Sequence, residues 1–341
     1  MEKWNSLAAF GSVPSKSKEA GMKGLEVLAE EVRNIARADV LKLMADEGKA
    51  AKAFEDFAAA PDESIDFVAR MSGVPEHQFP VYRAMVRREE NEYSSKIAEL
   101  SGILQTGDVI LVTGKKFKSK ALVAAQTPFY SKARASHAAM VHANVVCIDA
   151  NMGIGVKHHT IAEVLSNVED NWRIIRFNTV TDEHRERMLL RSAYYLQQPY
   201  SIRPINGAGA KFSYCSELVN KIYRDSGVRS IKVSKGVMVN PCHFDRLADK
   251  GEVCQDITES VRPFAPFFRE YKEMIAMQAH AMVAGLKLNR YRDKQRKELL
   301  AEAQAQAKAG NLPHETLVKL AQGIQNLESK MNFRFWDSIP R

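Results

Sequence analysis

Cys215 stands in the run Tyr214-Cys215-Ser216-Glu217-Leu218-Val219, and His137 heads the short apolar run Ala138-Ala139-Met140-Val141. A cysteine thiol and an imidazole are the parts of a nucleophile and its base, the sulfur attacking as thiolate while the ring takes and returns the proton. Leu218, Val219, Ile222 and Tyr223 recur at helical spacing, Ser213 or Tyr214 can stand at the N-cap, and Gly227 suits the stop. The sulfur therefore falls in a first helical turn, where unpaired N–H groups and the helix dipole favour an anion and pull a thiol below its usual pKa of about 8.5. The same amides can hold a developing oxyanion, with the Cys215 N–H as first donor and Tyr214 and Ser216 as neighbouring oxyanion or cleft candidates. Taken alone, Cys215 reads first as a small buried apolar residue, and only its context favours the nucleophile.

A third group comes from the strand after His137. Val145-Val146-Cys147-Ile148 ends in Asp149, so a hairpin with residues 142–144 as a three-residue loop and Asn144 in the left-handed position pairs 141 with 145. His137 then lies directly across from Asp149 on one face, and the carboxylate can fix the imidazole tautomer while the other ring nitrogen turns to Cys215. A two-residue turn would put the pair on opposite faces.

The other clusters carry less. His158 and His159 are adjacent, so in a strand they face opposite ways, and no further ligand completes a metal site. Cys242-His243 with Cys254 is no better. Lys115, Lys116, Lys118 and Lys120 can line the mouth of a cleft, and Tyr200 and Tyr214 can shape one. Gly207-Ala208-Gly209-Ala210 lacks the lysine of a phosphate loop and reads as a flexible approach to the cysteine helix. No metal or organic cofactor is called for.

Gly107-Asp108-Val109-Ile110, Ser136-His137-Ala138-Ala139-Met140, Ile148-Asp149-Ala150, Gly155-Val156, the Tyr214 to Val219 run and Asn240-Pro241 before Phe244-Asp245-Arg246-Leu247 together resemble the permuted papain-like hydrolases of the YiiX type. These belong to the superfamily of NlpC-type cell-wall peptidases, which also holds the lecithin retinol acyltransferase group. The resemblance covers about residues 101–260 and explains why the histidine precedes the cysteine, the reverse of papain. It implies Cys215 as nucleophile, His137 as base and Asp149 as the orienting third member, a position where relatives usually carry glutamate.

The elements that hold these residues form an α+β unit: a turn and strand from Gly107, a helix through Leu122 and Val123, strands from His137 and Val145, a short helix at Glu163, a strand from Trp172 and a helix from Asp182. Before it, the spacing of Leu25, Leu28, Val32 and Ile35 and the punctuation at Pro61, Gly73 and Pro80 predict three or four helices. After it, residues 267–309 read as one long helix or two, with Lys287, Arg290, Arg292, Lys294, Arg296 and Lys297 clustered midway and Pro313 opening a last helix. The expected division is a helical N-terminal domain over 1–100, a permuted papain-like domain over 101–262 and a helical extension over 263–341.

At 341 residues and 45% hydrophobic, the chain can bury a full core, and a charge of +8 with a pI near 9.2 draws it to anionic partners without choosing among them. Four cysteines without a C-x-x-C pair argue against a disulfide framework or zinc ribbon. Residues 1–20 show no signal-peptide core and no apolar run is long enough to span a bilayer, so the expectation is a protein of the producer's cytoplasm, exported if at all by a specialised secretion system. The expected activity is a cysteine amidase or peptidase on peptidoglycan peptides, acting as a toxin or effector, with an immunity protein or secretion apparatus as partner. The alternatives are a lipid or thioester acyl hydrolase or acyltransferase, with the basic C-terminal helix against an anionic membrane, and a non-catalytic binding module; nucleic acid is disfavoured.

Overall fold

The computed structural model describes residues 47–202, 212–228 and 238–330. The helix expected through Leu25 and Ile35 and the glycine-alanine run at 207–210 lie outside them. Apart from residues 47–54, the elements described below lie within one compact unit that begins at Glu55. After α1 (Glu47–Ala58) come α2 (Asp62–Met71), α3 (Phe79–Val86) and α4 (Glu92–Ile103). The sheet region follows as β1 (Val109–Val112), α5 (Phe117–Gln126), β2 (His137–Ala143), β3 (Val146–Asn151), β4 (Gly155–Thr160), α6 (Ile161–Val164), β5 (Arg173–Phe177), α7 (Asp182–Tyr195), α8 (Cys215–Asp225), α9 (Pro241–Lys250) and β6 (Cys254–Asp256). The chain ends in α10 (Thr258–Val261), α11 (Ala265–Glu270), α12 (Lys272–Lys308) and α13 (His314–Lys330).

The six strands form one antiparallel sheet in the order β4-β3-β2-β1-β5-β6, so the α+β class holds. Alternation of side chains along each strand feeds two cores. Ile110, Val112, Ala139, Val141 and Cys147 face a layer built on Tyr93, Leu100, Phe264, Phe268 and Met274, while Val109, Leu111, Ala138, Met140 and Ile148 face Leu218, Val219, Ile222, Tyr223 and Phe244. Because β1 is covered on both faces, it is apolar at every position and reads as a continuous run, not an alternation.

The expected apolar stripe of the cysteine helix is fully buried, and α8 stops as expected at Gly227, whose positive φ of 88° is unfavourable for residues with a Cβ. Tyr223 at the far end of α8 donates its hydroxyl to Gly107 O, and Asp108 beside it accepts from the Gln105 N–H at 2.8 Å and from Nε and Nη2 of Arg176. The Gly107-Asp108 turn thereby ties the entry of β1 to the helix that carries the sulfur. Truncating a side chain such as Leu218 in this layer costs about 2–5 kcal/mol.

The hairpin that follows His137 differs in detail from its expected form. The turn is the two-residue Asn144-Val145, with Ala143 paired to Val146, and Asn144 takes the left-handed φ of 48°. A register shift between Val141 and Ala143 makes His142 a bulge, after which Val141 pairs with Cys147 and Met140 with Ile148. The turn alone would have turned His137 away from Asp149; the extra residue at the bulge turns it back. Continuing the ladder sets His137 opposite Asn151 instead of Asp149, one pair along on the same face.

Candidate active site

Three side chains that lie far apart in sequence meet at one end of the sheet. The His137 Nε2 is 2.7 Å from Asp149 Oδ2, with His137 partly exposed and Asp149 only 4% so. Asn151, next along β3, donates from Nδ2 to the same carboxylate oxygen at 2.9 Å. The His137 ring and Cys215 line the same cavity and act on each other's charge, and since Nε2 serves Asp149, Nδ1 is the nitrogen left for the sulfur.

The electrostatics follow from that placement. Burial pushes the Cys215 thiol up, but the His137 imidazolium and the N–H groups of Ala138 and Ser216 together bring it below the ordinary thiol value. Burial pushes His137 down, yet the Cys215 thiolate and the Asp149 carboxylate more than offset it and hold the ring's proton to about 10. Both shifts describe one species, a thiolate and imidazolium sharing a proton. The other cysteines behave oppositely: burial raises Cys147 and Cys242, and raises Cys254 to about 11. Cys215 is thus set apart by its neighbours and not by exposure, for all four are buried.

The sulfur and the imidazole open on a cavity of about 430 Å³, walled on one side by Gly114, Ser119, Leu122 and Ser136 and on the other by Met152, His159 and Glu163, with Tyr200 beside Cys215. Tyr214 is the N-cap residue of α8, but its hydroxyl accepts from the Val239 N–H at 3.0 Å. The Ser216 hydroxyl donates to Val239 O at 2.6 Å. Neither side chain is among the cavity's lining, so what this pair offers the site is backbone: the Ser216 N–H already points at the sulfur. Tyr200 fills the cleft-shaping role instead, its hydroxyl proton held to about 12 by burial and by the nearby Cys215 charge.

Several positioning residues give weak sequence signals. Asp245, fully buried on α9, accepts from the Arg134 and Ala135 N–H groups at 2.8 and 2.9 Å, just ahead of Ser136-His137. Buried Gln126 at the end of α5 donates to Ala135 O at 3.0 Å and accepts from the Cys242 N–H at 2.9 Å. Thr113 Oγ1 donates to Arg134 O and accepts from the Ser136 N–H. The entry to His137 is therefore clamped from three elements. On the sulfur's side, Ser213 donates to Gln198 Oε1 at 2.8 Å and forms a bridge with Tyr200, while buried Lys221 reaches back to Ser213 Oγ at 3.2 Å. Gly155, with φ of 83°, brings β4 against the Gln198 backbone, where any Cβ would collide, and Val156 exchanges backbone bonds with Gln197 and Gln198 there.

The two adjacent histidines do face opposite ways. His158 lies against His142, Nε2 to Nδ1 2.7 Å apart with the rings stacked, and His142 donates through Nε2 to Leu189 O at 3.0 Å. His159 instead comes to the side of His137, its Nε2 3.3 Å from Asp149 Oδ1. Both of those atoms are buried, and neither has a hydrogen-bond partner: the contact is a charge contact, not a hydrogen bond. Asp149 thus stands between two imidazoles. The signal in the sequence was parity: 149 and 159 fall on one face once β3 and β4 pair Cys147 with His159.

Comparison with known proteins bears on the same segment. Residues 103–248 match the profile of a family described as permuted papain-like amidase enzymes, YaeF/YiiX, C92 family. A solved structure titled as the metalloprotein yiiX from Escherichia coli O157:H7 is similar at 21% identity, covering 44% of this chain and 85% of that one, with a TM-score of 0.31. No curated protein matches. Over residues 103–248 the chain is accordingly similar to the permuted papain-like amidases of the YaeF/YiiX type.

Proposed function

We propose that the protein hydrolyses an amide through a Cys215 thioester, with His137 as proton carrier and Asp149 as the group that orients it. The observation that carries this reading is the line from Cys215 through His137 to Asp149 at the wall of one cavity. The thiolate adds to the substrate carbonyl, and the charge that develops on oxygen is met by the α8 amides, Cys215 N–H first, and by the Tyr200 hydroxyl. His137 gives its proton to the leaving nitrogen as the C–N bond breaks, then takes one from water as that water opens the thioester. Asp149 keeps the ring in the tautomer and orientation both steps need, the role its bond to Nε2 fits.

The substrate class follows from the family resemblance: peptide amides, with peptidoglycan stem peptides first. Digestion of purified muropeptides, read by mass spectrometry, tests it. Native protein releases a peptide fragment and carries a transient acyl adduct on Cys215, whereas a Cys215→Ala variant with unchanged circular dichroism does neither. Equal turnover by the two would refute the assignment of Cys215.

A further inference from the structure

The helix at the rim of the cleft turns most of its surface to solvent. In α5 (Phe117–Gln126) the one buried residue is Gln126, and Phe117 is 83% exposed. At 100° per residue, Phe117, Ala121 and Ala124 fall on a single outward stripe, with Lys118 and Lys120 to either side of it. The opposite side carries Ser119 and Leu122, which line the cavity. Phe129 just beyond the helix is exposed as well.

Across the cleft the β3–β4 turn presents Met152, 74% exposed, and Ile154. Met152 and Leu122 both line the cavity, so exposed apolar side chains stand on its two lips. Charge is equally one-sided. From residue 109 to 148 there is no Asp or Glu, while Lys115, Lys116, Lys118, Lys120, Lys132 and Arg134 all occur. Lys120 pairs with Glu169 at 3.0 Å, and Lys115, Lys116, Lys118 and Lys132 form no ion pair with a described residue. A neighbouring cavity of about 400 Å³, beyond the wall at 166–168, adds Arg269 and Lys272 to Lys115, against the single carboxylate of Asp170.

An apolar stripe flanked by lysines is the arrangement that lies in the plane of a bilayer, the ring and aliphatic groups entering the acyl boundary while ammonium groups stay among anionic headgroups. Nucleic acid would use the lysines but leave Met152, Ile154 and Leu122 in water. We propose that α5 and the β3–β4 turn form a docking surface for an anionic lipid bilayer, holding the mouth of the Cys215 cleft against it. The docking does not depend on the chemistry assigned to Cys215, though it would direct that chemistry to membrane-borne substrates.

Co-sedimentation of the full chain with phosphatidylcholine vesicles, with and without phosphatidylglycerol, tests this. The protein is expected to follow the anionic vesicles and not the neutral ones. Phe117→Asp and Lys118→Glu, both away from the cavity, are each expected to lower the partition coefficient by about tenfold. Labelling of Cys215 by a thiol probe in vesicle-free solution serves as the check on the site, and it should be unchanged in both variants. Vesicle binding that survives Phe117→Asp, or that is lost only when Lys287 and Arg290 of α12 are reversed in charge, would overturn the proposal. So would binding to a soluble polyanion as tight as to the vesicles and indifferent to Phe117.

Discussion

His137 and Asp149 are joined at 2.7 Å although they are not directly opposed in the hairpin. The bulge at His142 brings them to one face, and Asn151, on the residue pair that does oppose His137, steadies the carboxylate from the side. Aspartate is thus long enough for the contact, because the histidine is approached diagonally along β3.

The first prediction concerns that contact. Asp149→Asn removes the negative charge that helps hold the proton on His137, so the alkaline limb of activity should move down from its position near 10. The sign is fixed by what is lost: an anion that favours imidazolium. The acid limb, set by the Cys215 thiol, lies below the ordinary thiol range and should shift less. A pH profile of kcat/KM reads both limbs; an unmoved alkaline limb would remove Asp149 from the charge pair.

His159 is expected to act through Asp149. His159→Phe keeps a ring in the cleft wall but leaves Asp149 Oδ1 without its imidazole neighbour. The expected result is a fall in kcat of about tenfold with KM little changed, the cost of a loosened catalytic geometry. If KM alone rises, the ring contacts substrate and does not steady Asp149.

Asp245→Ala strips the Arg134 N–H and the buried Ala135 N–H of their acceptor just ahead of His137. A loss of about 2–4 kcal/mol in denaturant unfolding is expected. Asp245→Asn retains an acceptor oxygen, so most of that loss should be recovered.

His142 governs acid stability. Burial, slightly opposed by its bond to Leu189 O, depresses its pKa from 6.5 to about 4. The unfolded chain therefore binds a proton that the folded chain refuses, and stability that is full above pH 6.5 is lost as pH falls toward 4. The loss is on the order of 3 kcal/mol. Replacing His142 with Asn should flatten this decline; a pH dependence identical to the native protein's would assign it elsewhere.

The cysteine helix was legible because every determinant is local: a stripe at 3.6-residue spacing, an entry at Tyr214 and a glycine stop at Gly227. The pairing of His137 with Asp149 was legible as a proposal about parity, but its register was not, since a bulge at a residue as ordinary as His142 leaves no mark in composition. Asp245, Gln126 and Thr113 were harder still. Their partners are backbone groups at 134–136 from other elements, and the need for them appears only when that segment is buried. Among the described residues no helix is long and apolar enough to cross a membrane, in keeping with the hydropathy of the sequence.

The most direct measurement is the rate of alkylation of each cysteine against pH, followed by peptide mass spectrometry, in native protein and in His137→Ala. Cys215 should react as a thiolate below the ordinary thiol range, ahead of Cys147, Cys242 and Cys254, and its pKa should rise when the imidazole is removed. A Cys215 that titrates like its three buried counterparts, or that ignores the loss of His137, would contradict a thiolate–imidazolium pair.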